Sequence, residues 1–410
     1  MLTPRPYQYA GRDFLAERQK GYLADEMRVG KTPQAIMAAN KIRAKRVVVT
    51  CPAIAVEHWR REFPRWWHLG GEDIALPERL VVSFDKAKLS WTEITGQRWN
   101  VFIPDEAHFA KSPDAARTKL VFGKTGIGWS SDNLWPLSGT PAPKHAGELW
   151  AWMMAFGLIG KMSYQDFCAR YCRLNAEGLP TGTKEAMIPE LRALMAPALL
   201  RRTRKDVAPE MPGIDFNFLE IETRFNKDVD IPANVTDDRL LEWVEAHAGG
   251  DRENRIDIAL AKVGPLGDEI EFAIANGLLK QTVVFGWHIE PLEKLASSLR
   301  ARGLRVGLLT GATSAAERQF IQQDFLGGLV DVVVAQLLAA GTAIDLSAAR
   351  HGYFLELDWV PGNNVQAANR LISMDKLDKV TIDVATMPRT MDDRIQHVLL
   401  RRTRELSKLY

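Results

Sequence analysis

The chain has 410 residues, of which 46% are hydrophobic and 25% charged, with a net charge of +2. Such a composition excludes a disordered or collagen-like chain and predicts a globular protein of two or three domains. The small net charge excludes a blanket polycation, so any nucleic-acid contact has to come from local basic patches.

The N-terminal MLTPRPYQYAGRDF lacks the charged-then-apolar layout of a signal peptide. Short β-branched runs then follow at 21–25, 46–51, 79–84, 101–105 and 133–139. Apolar runs without alternation suit strands buried on both faces of a parallel sheet. Residues 148–205 are aromatic-rich and predicted helical, and the apolar stretch 148–160 within them is too short to span a bilayer. Prolines and a glycine at 209–213 break regular structure. A charged segment at 226–280 is read as a second helical insertion. A second strand series runs at 282–286, 305–311, 331–336, 353–358 and 380–386. Strands alternating with helix-length segments, twice over, predict an α/β fold with two doubly wound parallel-sheet lobes. The expected lobes are 1–207 and 208–410. Cys51, Cys168 and Cys172 are too few for a disulfide framework and point to a reducing, cytoplasmic setting. Cys168 and Cys172 have no further ligands clustered near them and are read as small buried residues.

Two segments carry chemistry. LADEMRVGKT, Leu23–Thr32, ends in Gly30-Lys31-Thr32, the closing half of a phosphate-binding loop. The opening glycine of that loop is replaced by Asp25. A strand-like run precedes the loop and a helical segment with Pro33 in its first turn follows it, where proline's missing N–H costs nothing. The helix N-terminus offers amides and a positive dipole end to phosphate. Lys31 is then placed to reach the β- and γ-phosphates and Thr32 to hold Mg²⁺. A chance GKT before a helix is the bland alternative. The second segment, VFIPDEAH (101–108), decides between them: a buried strand ends in adjacent acids, where ligands bind in such sheets. Asp105 can hold Mg²⁺ and Glu106 can polarise the attacking water.

On these residues the chain resembles superfamily-two helicase-type ATPases of the Swi/Snf-like DNA-translocase branch. ADEMRVGKT resembles the branch's ADEMGLGKT, which also has Asp at the first glycine; Arg28 is this chain's departure. Arg5-Pro6-Tyr7-Gln8 resembles the RPYQ element, implying that Gln8 reads adenine. CPAIAVEHW (51–59) resembles a segment that touches the DNA backbone, and Lys111-Ser112-Pro113 resembles K-N-P, which makes Lys111 a nucleic-acid candidate. LSGTP (137–141) resembles the element coupling phosphate state to lobe movement, implying that role for Ser138 and Thr140. FCARYC (167–172) with LLRRTRKDV (199–207) resembles most closely the HARP-like annealing-helicase group. In the second lobe, LLTGATSAAER (308–318) resembles D-G-x-T-x-x-x-x-R, which makes Thr313 a nucleic-acid candidate. AAGTAIDLSAA (339–349) resembles A-G-G-x-G-L-N-L and assigns a coupling role to Gly341. LDWVPGNNVQAANR (357–370) resembles D-x-W-N-P…Q-A-x-x-R, implying that Gln366 and Arg370 face the nucleotide. The family's second arginine is Ser373 here, and its G-Q is Asp375-Lys376.

The resemblance implies two RecA-like lobes with ATP and Mg²⁺ in the cleft between them, acting on double-stranded or branched DNA. A monomer without membrane contact is expected, nucleoid-associated or encoded by an intracellular phage. A protein partner supplying regulation or the missing cation is a further expectation. Arg201, Arg202, Arg204 and Lys205 form a basic cluster, of which Arg201 and Arg202 are expected to contact DNA phosphate. The 12 tryptophans are read as packing residues, because a duplex tracker has little use for base stacking. Two rivals remain open at this level: a strand-separating or RNA-directed helicase, and a weakly hydrolysing nucleotide-gated clamp or scaffold, kept alive by the departures at Arg28, Pro104 and Ser373.

Overall fold

Valines at successive positions of one strand can all be buried only if both faces of its sheet are covered. Val47, Val48 and Val49 are each fully buried, and the structure covers both faces. It is a computed structural model and describes residues 3–209, 213–223, 235–236, 240, 251–340, 344–373 and 379–406. The chain divides into two compact units between Pro209 and Glu210.

In the first unit, β2 (Arg46–Cys51), β3 (Glu78–Ser83), β4 (Trp99–Pro104) and β5 (Ser131–Leu134) form a parallel sheet in the order β3-β2-β4-β5. The short β1 (Tyr22–Leu23) extends it through parallel bridges, Lys20 to Leu134 and Leu23 to Leu137. One face packs Val47, Val49, Val101 and Ile103 against α2 (Lys31–Lys41) and α3 (Val56–Trp67), through Ile36, Met37, Trp59 and Phe63. The other face packs Val48 and Phe102 against Leu120, Val121 and Ile127. Helix α1 (Pro6–Ala16) precedes β1. Trp59, Trp67, Trp135 and Trp152 are fully enclosed, so these four pack in the interior.

Residues 148–205 are not wholly helical as expected. Helices Trp150–Phe156, Tyr164–Tyr171 and Ile188–Met195 form, but an antiparallel ribbon of β6 (Cys172–Leu174) and β7 (Pro180–Thr183) stands between them. Its turn is local chemistry: the Asn175 side chain accepts from the amides of Glu177 and Leu179, and Gly178 takes the left-handed φ of 78°. Further on, β8 (Leu199–Leu200) pairs in parallel with β1.

The second unit has a six-stranded parallel sheet in the order β11-β12-β10-β13-β14-β9. Its strands are β9 (Ile214–Glu220), β10 (Thr282–Gly286), β11 (Val306–Leu309), β12 (Val332–Gln336), β13 (His351–Phe354) and β14 (Val380–Thr386). Sequence reading missed β9. It is an edge strand in which Asp215 and Asn217 alternate with Phe216 and Phe218, so it has no apolar run, yet it pairs with β14 along its whole length. The helix Asp251–Ala275 lies in the expected second insertion, of which 226–234, 237–239 and 241–250 are outside the described residues. Among the described residues no helix is long and apolar enough to cross a membrane.

That helix is fastened by a buried charge. Lys262 is fully buried and donates to Asp392 Oδ2 at 2.9 Å and to the Ala385 carbonyl at 2.9 Å. Asp392 also accepts from the Met387 amide and Gln396 Nε2. Lys262→Met leaves a buried carboxylate without its cation, a loss of about 3–5 kcal/mol. Calorimetry of the full chain is expected to show a lowered second-unit transition with the first-unit transition in place.

Candidate nucleotide-binding site

Strand β1 runs into a loop of seven residues, 24–30, and α2 begins at Lys31. Two loop residues have left-handed backbones, Arg28 at φ 66° and Gly30 at φ 83°. The left-handed φ favours glycine at position 30, and a Cβ there would lie 2.5 Å from Gln8 Nε2 and would have to displace it. Gln8 is buried in the first turn of α1, its Oε1 accepting from the Arg5 amide at 2.9 Å. The fold thus sets Gln8 against the loop. No side chain caps α2. Lys31 Nζ donates to the carbonyls of Asp25 (2.9 Å) and Glu26 (3.3 Å), and Thr32 follows in the first turn.

Burial lowers the Lys31 pKa, and the carboxylates of Glu106, Asp25 and Asp105 oppose that shift. The two motifs, over 70 residues apart in the chain, therefore meet at one place. Asp105 lies just past β4, with its amide on the Thr50 carbonyl at 2.7 Å. Its Oδ1 accepts from the Glu106 amide at 3.0 Å and its Oδ2 from the indole N–H of Trp59 at 2.8 Å. Burial, and then the adjacent Glu106 charge, push its pKa up to about 6. Glu106 has φ 51°, a left-handed conformation that costs a non-glycine residue about 1–2 kcal/mol and marks functional sites.

Glu106 Oε2 lies 3.3 Å from His108 Nδ1, which is 2.9 Å from Ser138 Oγ. Ser138 Oγ accepts from the Thr140 amide at 3.1 Å. The backbone closes the same circuit, with the Ser138 amide on the Leu23 carbonyl and the Ala107 amide on the Leu137 carbonyl. The expected coupling pair, Ser138 and Thr140, is therefore linked to the acids. The link is His108, whose part the sequence reading did not identify, although its place two residues after Glu106 was the signal. Trp59 was read as packing alone; its bond to Asp105 had no signature in sequence.

Other candidates sit differently. Lys111 forms a 2.6 Å ion pair with the buried Glu148, which also accepts from the Lys144 amide. Arg201 and Arg202 were expected to face DNA phosphate, and the structure turns both guanidinium groups onto the loop. Arg201 Nη1 donates to the carbonyls of Ala24 and Gly139, each at 2.7 Å. Arg202 bonds to Asp25, whose side chain is fully enclosed. The reason is electrostatic: a buried carboxylate requires a partner, and the nearest guanidinium is taken. Lys205 is the exposed member of the run.

In the second unit, Thr313 Oγ1 accepts from the Thr310 amide at 2.9 Å, and the Thr313 carbonyl accepts from Arg318. Gln366 is buried on the helix Pro361–Ala368, and the half-buried Arg370 follows it. Asp358 orders the start of that helix, binding Asn363 Nδ2 and the Val360 amide. Ser373 is half-buried. Gly341 and Lys376 lie outside the described residues.

Comparison with known proteins agrees along the chain. The SNF2-related domain matches residues 7–72 and 79–223, and the helicase conserved C-terminal domain matches 268–374. The DNA annealing helicase and endonuclease ZRANB3 of Bos taurus is 24% identical over 97% of this chain and 40% of its own length. The SWI/SNF-related matrix-associated actin-dependent regulator of chromatin subfamily A-like protein 1 of Xenopus tropicalis is 26% identical over 95% of this chain and 43% of its own. The chain thus spans about two fifths of the curated relatives it matches. The Sulfolobus solfataricus SWI2/SNF2 ATPase core in complex with dsDNA covers all of the chain at 20% identity with a TM-score of 0.45.

The Trp59 bond has a measurable consequence. Trp59→Phe keeps an aromatic ring in the core and removes one donor from Asp105. The expected loss of stability of the first unit is about 1–3 kcal/mol, the cost of an unmet buried acceptor. Denaturant unfolding followed by first-unit fluorescence checks it.

Proposed function

The chain belongs to the SNF2-related family, and we propose that it is an ATP-driven translocase on double-stranded DNA, working on forks or branched DNA. One observation carries this reading: Lys31, Asp105 and Glu106 converge beside a helix N-terminus. A cation for phosphate, a carboxylate for the metal and a second carboxylate for water are the parts phosphoryl transfer needs. The ZRANB3 relative is a DNA annealing helicase, which supports the choice of forked DNA.

The donor chemistry fits magnesium. A threonine hydroxyl and a carboxylate are hard oxygen ligands, and Thr32 and Asp105 would hold the ion. The bound ion would offset charge on the β- and γ-phosphate oxygens. Lys31 exchanges its carbonyl partners, Asp25 and Glu26, for phosphate oxygens. Glu106 takes the proton of the attacking water. Gln8, against Gly30, reads the adenine edge. Ser138 and Thr140 receive the state of Glu106 through His108. Gln366 and Arg370 supply the second unit's contribution to the nucleotide, with Gly341 coupling the two events. Lys111 and Thr313 serve the DNA path. The working unit is a monomer, and a partner protein is a source of the cation that Ser373 does not provide.

Steady-state ATPase with duplex, single-stranded, forked DNA and RNA tests the proposal; stimulation by RNA alone, or none by any of them, defeats it. In that assay Lys31→Ala is expected to weaken both ATP binding and turnover. Glu106→Gln keeps ATP binding and lowers kcat about 100-fold or more, because only water activation is lost. Turnover of Glu106→Gln equal to that of the parent removes Glu106 from the site.

Ser373 makes the second expectation. A γ-phosphate arginine contributes on the order of 10³-fold to turnover, and Arg370 is the one the sequence retains of the family's two. Arg370→Ala is expected to abolish DNA-stimulated hydrolysis while ATP affinity changes little. Ser373→Arg raises kcat or leaves it unchanged. No hydrolysis by the parent on duplex DNA, with recovery in Ser373→Arg, converts the motor into a nucleotide-gated clamp.

A further inference from the structure

Arginine 202 makes more bonds inside the first unit than a DNA-facing side chain has reason to make. Its Nε donates to Asp25 Oδ1 at 3.0 Å and its Nη2 to Asp25 Oδ2 at 2.5 Å. Nη2 also donates to Gln34 Oε1 at 2.7 Å, and Nη1 to the Tyr7 carbonyl at 2.6 Å. Three elements are joined by one planar group: the loop, α2 and α1. Gln34 Nε2 returns a bond to Asp25 Oδ2 at 3.1 Å, which closes the network. Asp25 stands where a phosphate loop ordinarily has its first glycine.

We infer that Arg202 and Asp25 are a positioning pair that holds the phosphate-binding loop in register with the adenine-facing end of α1, so that one guanidinium sets both phosphate affinity and base preference. The inference deepens the ATP reading of this site and rests on it. Asp25 faces two ways: its carboxylate grips Arg202 and its carbonyl receives Lys31 Nζ. A shift of Asp25 is therefore a shift of the resting place of Lys31. On the other side, Tyr7 immediately precedes Gln8, whose Nε2 lies 2.5 Å from where a Cβ on Gly30 would be. Arg202 ties the residue before the base reader to the residue beneath the phosphate cation.

The neighbours of Arg202 act in the same sense. Arg201 holds the Ala24 carbonyl. The Glu26 amide donates to the Arg202 carbonyl at 2.9 Å, and Glu26 takes the Arg204 amide at 2.7 Å and the Arg204 guanidinium at 2.5 Å. Three consecutive loop residues, Ala24 to Glu26, are thus each held by the run that continues from β8. Gly11 gives independent support. A Cβ there would lie 1.6 Å from Gln34 Oε1 and 2.8 Å from Arg202 Nη2, so the bond between those two side chains requires glycine at position 11.

The test is calorimetric binding of Mg·ATP and Mg·GTP to the full chain, with duplex DNA affinity measured in parallel. Arg202→Lys keeps the charge and loses the fork; Gly11→Ala keeps the arginine and displaces it. Circular dichroism establishes that each is folded, and either folded variant decides. Loss of the bidentate grip is expected to weaken ATP about 10-fold and to lower the ATP-over-GTP preference at least about threefold, with duplex affinity unchanged. The change in base preference separates positioning from general loosening, which weakens both nucleotides alike. Lys31→Ala is the control for the site itself. If it binds ATP as the parent does, the ATP reading fails. If it loses ATP while a folded Arg202→Lys or Gly11→Ala keeps parental affinity and preference, the positioning pair is overturned and the ATP reading stands. Loss of duplex affinity with nucleotide binding intact also overturns it, and returns Arg202 to the DNA path.

Discussion

A phosphate-binding lysine has to be held among carboxylates without being neutralised by them. In this chain Asp25, Asp105 and Glu106 all act on Lys31. If Asp25 paired with Lys31 through its carboxylate, phosphate would have to displace a buried ion pair before binding. Arg202 removes that competitor. It occupies both Asp25 oxygens, and Lys31 rests on backbone carbonyls instead. Neutral carbonyls yield to phosphate at far lower cost than a buried carboxylate would. The aspartate at the glycine position is therefore compatible with a phosphate loop because a guanidinium is assigned to it from 177 residues away.

The parallel sheet makes that assignment geometrically possible. Strands β1 and β4 end on the same edge of one sheet, and the segment around Leu137 bridges both through Leu23 and Asp105. Parallel strands bring all their carboxyl ends to one side, where ligands bind. The loop, the acids and the Ser138 element are consequently neighbours although far apart in sequence. Strand β8 adds the basic run to the same edge by pairing with β1. Side-chain bonds then refine contacts that backbone topology has already brought within reach.

The chain's legibility follows from this division. Parallel strands buried on both faces announce themselves as apolar runs, so Val47–Val49 and Val332–Val334 could be read directly. The edge strand β9 was missed because Ile214, Phe216 and Phe218 alternate with exposed Asp215 and Asn217, a strand covered on one face and not the unbroken apolar run of its doubly buried neighbours. The loop and the acids were legible because their chemistry is local: a cation, a hydroxyl and two carboxylates at strand ends. Arg201 and Arg202 were not, because sequence shows a charge without showing which way it points. Three arginines and a lysine in one run look like a phosphate-facing patch until a buried acid elsewhere in the chain is found to claim one of them. Trp59 is the same case in apolar form. Its ring packs as any core tryptophan would, and only its N–H reaches Asp105.

Backbone strain marks where the loop departs from its relatives' pattern. Among the described residues, four that are not glycine have positive φ, and two of them, Arg28 and Glu106, belong to this site. At Arg28 the resembling pattern has glycine, which adopts that conformation freely, whereas an arginine there costs about 1–2 kcal/mol. Burial lowers the Arg204 pKa, Glu26 opposes that shift, and Arg201 and Arg28 add to it. A glycine at position 28 would carry the same backbone without that cost.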